Sequence, residues 1–147
     1  MAKKEVTYES ICKEITDRQF SPVYVLMGDE PYFIDRITDL LIANVLQEEE
    51  RDFNQTVFYG ADTDAVSVIN AARRFPMMSA YQLVVVKEAQ LLRDIEQLAA
   101  YVKQPLSSTV LVIDYKYKTL DRRKSLASLV EKKGVIFESK KIPDYKM

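Results

Sequence analysis

Histidine is absent from the 147 residues, and cysteine occurs once, as Cys12. Without imidazole there is no histidine triad, no histidine general base and no histidine-ligated zinc. A single thiol makes neither an internal disulfide nor a thiolate zinc cluster. Any catalysis would have to rest on carboxylates, lysines, tyrosines or hydroxyls, and no metal site or cofactor is expected. No apolar run approaches the ~18 residues of a membrane span, so no membrane partner is expected either. The opening Met1-Ala2-Lys3-Lys4-Glu5 has neither the apolar stretch nor the small-residue cleavage site of a secretory leader, which makes the cytoplasm the default compartment.

What is there is ordinary for a globular domain: 48% hydrophobic and 29% charged residues in one unit, 1–147, able to bury a core without disulfides. The net charge of −1 is unevenly spread. Residues 1–114 carry 11 basic and 18 acidic side chains, a balance of −7; residues 115–147 carry 10 and 4, a balance of +6. Surface charge of this kind is commonly just solvated. The alternative is a DNA-binding module in the basic C-terminal third, where Lys116, Lys118, Arg122, Arg123 and Lys124 could meet phosphates, though no base-stacking groups are interleaved with them.

Five β-rich runs alternate with helical patterns, which predicts an α/β fold with a five-stranded parallel sheet flanked by helices. The strands are expected at Val23–Met27, Thr56–Tyr59, Leu83–Lys87, Thr109–Asp114 and Val135–Glu138. The third and fourth are continuously apolar, as central strands are, and the others are mixed enough to lie nearer an edge. Apolar stripes place helices at Tyr8–Ile15 after a Thr7 cap, and at Ile34–Val45 after Pro31. A third is expected at about Asp64–Arg74 behind Asp62-Thr63, and a fourth along Leu91, Ile95, Leu98 and Val102, ending before Pro105. A fifth follows Leu126, Leu129 and Val130 and stops at Gly134. Cys12 falls on the first apolar stripe as filler, and Gln47–Asp52 reads as a helix end and surface turn.

The first strand leads through Gly28-Asp29-Glu30-Pro31-Tyr32-Phe33-Ile34-Asp35 into a helix, the context in which G-x-x-x-x-G-K-[ST] holds nucleotide phosphates. Gly28 is kept, but Phe33, Ile34 and Asp35 stand where the second glycine, the lysine and the hydroxyl belong. The acidic residues Asp29 and Glu30 would repel phosphate, and nothing replaces the lysine. The second ATPase element, an apolar strand ending in two acids, is reduced to Asp114 followed by Tyr115. Hydrolysis of ATP by this chain is therefore not expected, although a nucleotide-dependent enzyme with an unusual phosphate loop is the alternative. A phospho-receiver domain would use Asp29-Glu30 and Lys140 or Lys141, but its acceptor aspartate is missing where the third strand ends, at Val86-Lys87-Glu88.

Before the third strand lies Arg73-Arg74-Phe75-Pro76-Met77-Met78-Ser79-Ala80. Pro76 keeps Phe75 out of a helix, so the residues after it sit on a loop. Paired methionines make a pliable apolar knob suited to a partner's groove. The simpler reading is that Phe75, Met77 and Met78 only cover the end of the sheet.

Taken in order, Val23–Asp35, Ala72–Met78 with Leu83–Lys87, and Lys141-Ile142-Pro143 resemble the delta-subunit family of the bacterial DNA polymerase III clamp loader. The resemblance spans essentially the whole chain and corresponds to the amino-terminal domain of a longer protein. It implies an AAA+ domain of the P-loop-NTPase kind with a degenerate nucleotide site and no catalysis of its own, in a subunit of the polymerase holoenzyme. It also implies that an apolar pair before the third strand, here Met77 and Met78 with Phe75 and Pro76 in support, binds the sliding clamp and helps open it. The family often carries an aromatic at the second position, from which Met78 departs. The other implied partners are the ATP-hydrolysing and remaining clamp-loader subunits, with DNA in the assembled complex. Lid and collar domains are expected beyond Met147, the abrupt end at Ile142–Met147 being that of a truncated longer protein.

Overall fold

A computed structural model describes residues 6–140. The strands β1 (Val23–Gly28), β2 (Gln55–Tyr59), β3 (Gln82–Lys87), β4 (Thr109–Lys116) and β5 (Val135–Ser139) form one sheet in the order β2-β3-β4-β1-β5. Every pairing is parallel. A receiver domain would have the order 2-1-3-4-5, so this topology excludes that reading. The segment Lys141–Met147, which held part of the resemblance, lies outside the described residues.

Two helical layers cover the sheet. On one face α1 (Tyr8–Thr16) and α2 (Pro31–Val45) bury Ile11, Ile15, Ile34, Ile37 and Leu41 against Tyr24, Leu26, Val85 and Val112. On the other, α4 (Ala65–Ala72), α5 (Ala99–Val102) and α6 (Ser125–Lys133) pack Val68, Val102, Leu126 and Val130 against Val23, Val25, Val84 and Ile113. Alternate residues of each strand feed the two layers, which is why the inner strands are apolar on both sides. The short α3 (Arg51–Asn54) precedes the edge strand β2.

Local departures from the sequence pattern have physical causes. Strand β1 is interior, between β4 and β5, with all six residues buried. Its mixed look comes from Tyr24, whose hydroxyl oxygen accepts the Ser21 N–H at 2.9 Å and so goes inside with its polar tip satisfied. Helix α4 is capped by Asp64, which accepts from Ser67 N–H at 2.8 Å; Asp62 belongs to a preceding 3-10 turn and Thr63 is extended. It ends at Ala72 because the Gln82 amide takes the carbonyls of Ala71 and Ala72 at 3.0 and 3.2 Å. The expected fourth helix is broken into 3-10 turns at Ala89–Leu91 and Ile95–Leu98 before α5. Leu92 packs inward in place of Leu91, which is 53% exposed. Cys12 is half-buried. Thr7 caps α1 reciprocally with Ser10, as its position suggested.

Between α2 and β4 lies a buried polar pair. Thr38 donates its hydroxyl to Asp114 Oδ1 at 2.7 Å, and both residues are shut from solvent. Burial lifts the Asp114 pKa to about 7, outweighing the Thr38 hydrogen bond and nearby Lys116, which lower it; Asp35 adds to the rise. A carboxyl raised in the folded state binds more protons there than in the unfolded chain, so folding stability falls as pH climbs from the ordinary carboxylate range through about 7. Asp114→Asn removes this penalty while keeping the acceptor for Thr38. The expected outcome is a gain of roughly 2–4 kcal/mol at pH 8 with almost none at pH 4, read from urea unfolding midpoints across that range.

Candidate functional site

The turn from β1 to α2 has the shape that begins a phosphate loop and the contents that prevent one. Only Asp29 and Glu30 separate strand from helix, and Pro31 already starts α2. Phe33, Ile34 and Asp35 are therefore helical residues, not parts of a loop wrapped around an anion. Phe33 is half-buried and packs between Tyr8, tilted at 4.9 Å, and Tyr32, edge-on at 5.2 Å between centroids, and Ile34 is in the core. Gly28 has φ 122°, and a Cβ there would lie 2.1 Å from Ser139 O, so only glycine fits. Backbone N–H groups that a phosphate would use are engaged. Gly28 N–H donates to Lys118 O at 3.0 Å and Glu30 N–H to Ser139 O at 3.5 Å, while the Ser139 hydroxyl braces the turn by donating to Glu30 O at 2.7 Å. Glu30 also caps α2, accepting the Tyr32 N–H at 3.1 Å, and this carboxylate sits at the helix end that attracts anions.

Around this turn the charges neutralise one another. Lys116 Nζ lies 2.8 Å from Asp35 and 3.4 Å from Glu88. Burial alone would lower the Lys116 pKa, but the two carboxylates outweigh it and raise it. Asp114 points under α2 to Thr38 and Tyr115 is half-buried, so neither faces the turn as a catalytic acid would. A further carboxylate at this end of the sheet is Glu88, which follows β3 in a left-handed conformation (φ 53°) and meets Lys116. The sequence pattern did not single it out. Among the described residues no cluster of three or more acids or cysteines could hold a metal ion, and no helix is long and apolar enough to cross a membrane.

The methionine loop is at the opposite end of the sheet. Parallel strands give the sheet one carboxyl-terminal edge, where Gly28, Glu88 and Lys116 gather, and Arg73–Tyr81 enters β3 from the other edge. Phe75 is 77%, Met77 59% and Met78 100% exposed, with Pro76 half-buried beneath them. These side chains do not cover the sheet; they project from it. Phe75 lines a shallow cleft of about 760 Å³ with Arg73, Ala100, Lys103, Gln104 and Leu106. The backbone beneath is held by Asn54, which accepts the Met77 N–H at 2.7 Å and donates to Met77 O at 2.9 Å and to Glu50 O at 3.0 Å. Sequence reading missed Asn54, because a residue 23 positions away in a polar stretch carries no local sign of its partner.

Of the basic residues singled out from Lys116 to Lys124, three are paired. Arg122 meets Glu131 at 2.7 Å and Glu138 at 3.5 Å, and Arg123 makes two bonds of 3.0 Å to Asp121. Lys116 is also engaged, whereas Lys118 and Lys124 of the same five are exposed and make no salt bridge among the described residues.

Comparison with known proteins accords with this geometry. The family described as DNA polymerase III, delta subunit, matches residues 24–140. The DNA polymerase III subunit delta of Bacillus subtilis (strain 168) is 28% identical over 142 residues, which cover 90% of this chain and 41% of that protein. Among solved structures, the Bacillus subtilis DNA clamp loader delta protein superposes with a TM-score of 0.86 at 27% identity, over 95% of this chain and 44% of that one. A DNA polymerase III gamma subunit-related protein from Thermotoga maritima shares the fold, with a TM-score of 0.62 at 11% identity over 96% of this chain and 48% of its own. The chain thus spans less than half the length of these relatives and shares the fold of a flanked parallel sheet with the solved ones. The chain belongs to the DNA polymerase III delta-subunit family.

Proposed function

We propose that this chain is the clamp-contacting domain of a clamp-loader delta subunit and that it works without hydrolysing ATP. The observation that carries the reading is the loop at Phe75–Met78, whose apolar side chains stand in solvent on a fixed backbone. Contiguous exposed apolar groups on a soluble domain mark a surface meant for a partner. In this reading Met77 and Met78 enter an apolar pocket on the ring-shaped sliding clamp, with Phe75 and Pro76 shaping the rim. Opening the ring then requires no bond-making. A surface that binds the sprung ring more tightly than the closed one shifts the equilibrium by that difference in affinity. ATP acts through partner subunits with intact phosphate loops, and DNA is met in the assembled complex.

The occupied turn at Gly28 supports the same division of labour. A nucleotide would have to displace Glu30 from the end of α2 and take the Gly28 and Glu30 N–H groups from their carbonyl partners, with Lys116 already paired to Asp35 and Glu88. Titration calorimetry with magnesium-ATP is expected to give no binding heat, and a phosphate-release assay no turnover. Micromolar binding with turnover would overturn the non-hydrolysing reading in favour of an enzyme with an unusual phosphate loop.

The clamp contact has its own test. Replacing Met77 and Met78 together by Ala is expected to weaken binding to the cognate clamp by about 2 kcal/mol or more, roughly 30-fold. Because both side chains are exposed, the thermal midpoint should not move. Surface plasmon resonance and a melting curve on the same variant make the measurement, and unchanged affinity would refute the site.

A further inference from the structure

We infer that Asn54 is the positioning residue of the methionine loop: its side-chain amide locks the backbone so that Met78 is presented in one orientation before any partner arrives. This rests on the clamp-binding reading above. Met78 has φ 54°, in the left-handed region that a non-glycine residue occupies at a cost, and its side chain touches nothing that could hold it there. The neighbouring residues must therefore fix it. On one side Asn54 grips Met77 through both its N–H and its carbonyl, so the peptide groups flanking Met77 can neither slide nor rotate. On the other, the Ser79 hydroxyl folds back on Tyr81, accepting its N–H at 3.3 Å and donating to its carbonyl at 3.0 Å.

Asn54 is itself pinned. It is 3% exposed and ends α3, with its amide nitrogen also bonded to Glu50 O one turn earlier. Glu50 in turn accepts the Gln47 N–H at 2.9 Å, and that hydrogen bond, with the Arg18 charge in support, holds its carboxyl below the usual range. The polar segment from Gln47 to Asn54 is thus a bracket whose far end reaches the loop. All three hydrogen-bonding valences that Asn54 uses are of fixed polarity: one acceptor facing an N–H and two donations facing carbonyls. No other side chain of this length supplies both, since Asp lacks the donor and Leu lacks both. A buried amide that spends itself on a loop's backbone while the loop's own side chains stay in solvent is arranged for presentation, as a preorganised binding group requires.

Freeing the loop leaves Met77 and Met78 in place but lowers the fraction of molecules in the competent conformer, and apparent affinity falls by that fraction. Asn54→Ala is expected to weaken clamp binding about tenfold on the intact protein, and to speed hydrogen exchange at the Met77 amide while Leu83–Val86 in β3 stay protected. Asn54→Asp, equal in size but without the donor, serves as the second variant should Ala unfold the domain, and is expected to weaken binding similarly. The deciding measurement is a double-mutant cycle with the Met77→Ala, Met78→Ala pair. If Asn54 acts through the methionines, its substitution costs nothing further once they are gone. Unchanged affinity in the Asn54 variants, or a loss that persists undiminished on the methionine-free background, would overturn the assignment. Should the methionine pair itself prove dispensable, the clamp-binding reading falls first, so the two failures are distinguishable.

Discussion

The approach of Gly28 to the backbone of Ser139 is the constraint on which the rest of the molecule depends. It brings the end of β1 so close to the end of β5 that no side chain fits between them. The chain must then turn into α2 within two residues, and the donors and acceptors of that turn are spent on Ser139 and on the loop after β4. In an ordinary phosphate loop this end of the sheet is left open and its backbone N–H groups wait for a ligand. Here the protein supplies the ligand: Glu30 takes the helix terminus, and Lys116 is neutralised by Asp35 and Glu88. A site satisfied by its own residues has little left to gain from nucleotide.

Closing one end of a parallel sheet leaves the other end available. The sheet is rigid because its inner strands are covered on both faces, so a loop anchored to it inherits that rigidity. Arg73–Tyr81 is anchored at three depths: by Gln82 at the end of α4, by Asn54 at Met77, and by Ser79 where the chain enters β3. The apolar side chains rise from the span between those anchors. In the proposed role a surface that biases the shape of another protein must not bend first, and the hydrogen bonds beneath Met78 meet that requirement.

The layout was legible in the sequence wherever the signal was local. Uninterrupted runs such as Leu83–Val86 gave strands, the stripe Ile34-Ile37-Leu41-Val45 gave a helix, and Gly28 before Pro31 gave the short turn from strand to helix. Longer-range facts were not legible. The interior place of β1 between β4 and β5 was one of these, since Tyr24 gives the strand a mixed look although its polar tip is satisfied by the Ser21 N–H three residues away. The helix expected through Leu91 broke because Glu88 turns left-handed and Asp94 reaches across to the first N–H of α4 at 3.1 Å. The stretch Gln47–Asp52 read as surface, and the bracket it begins became visible only once Asn54 was seen against Met77. Periodicity reports which side of an element is buried; it says nothing of which distant backbone a polar side chain will hold.

A methionine at the exposed tip of a fixed loop combines two costs in opposite ways. Ordering a backbone residue takes about 1–2 kcal/mol, and burying a long flexible side chain up to about 2 kcal/mol more. The hydrogen bonds to Met77 settle the first of these during folding, before a partner is met. The second is left for the moment of contact, when Met78 can choose among rotamers to fit whatever apolar surface it enters. An aromatic at this position would lose less on binding but would demand a pocket of its own shape. On the proposed clamp-binding reading, the rigid backbone therefore fixes where the contact is made, and the unbranched side chain leaves open how closely the partner's pocket must match.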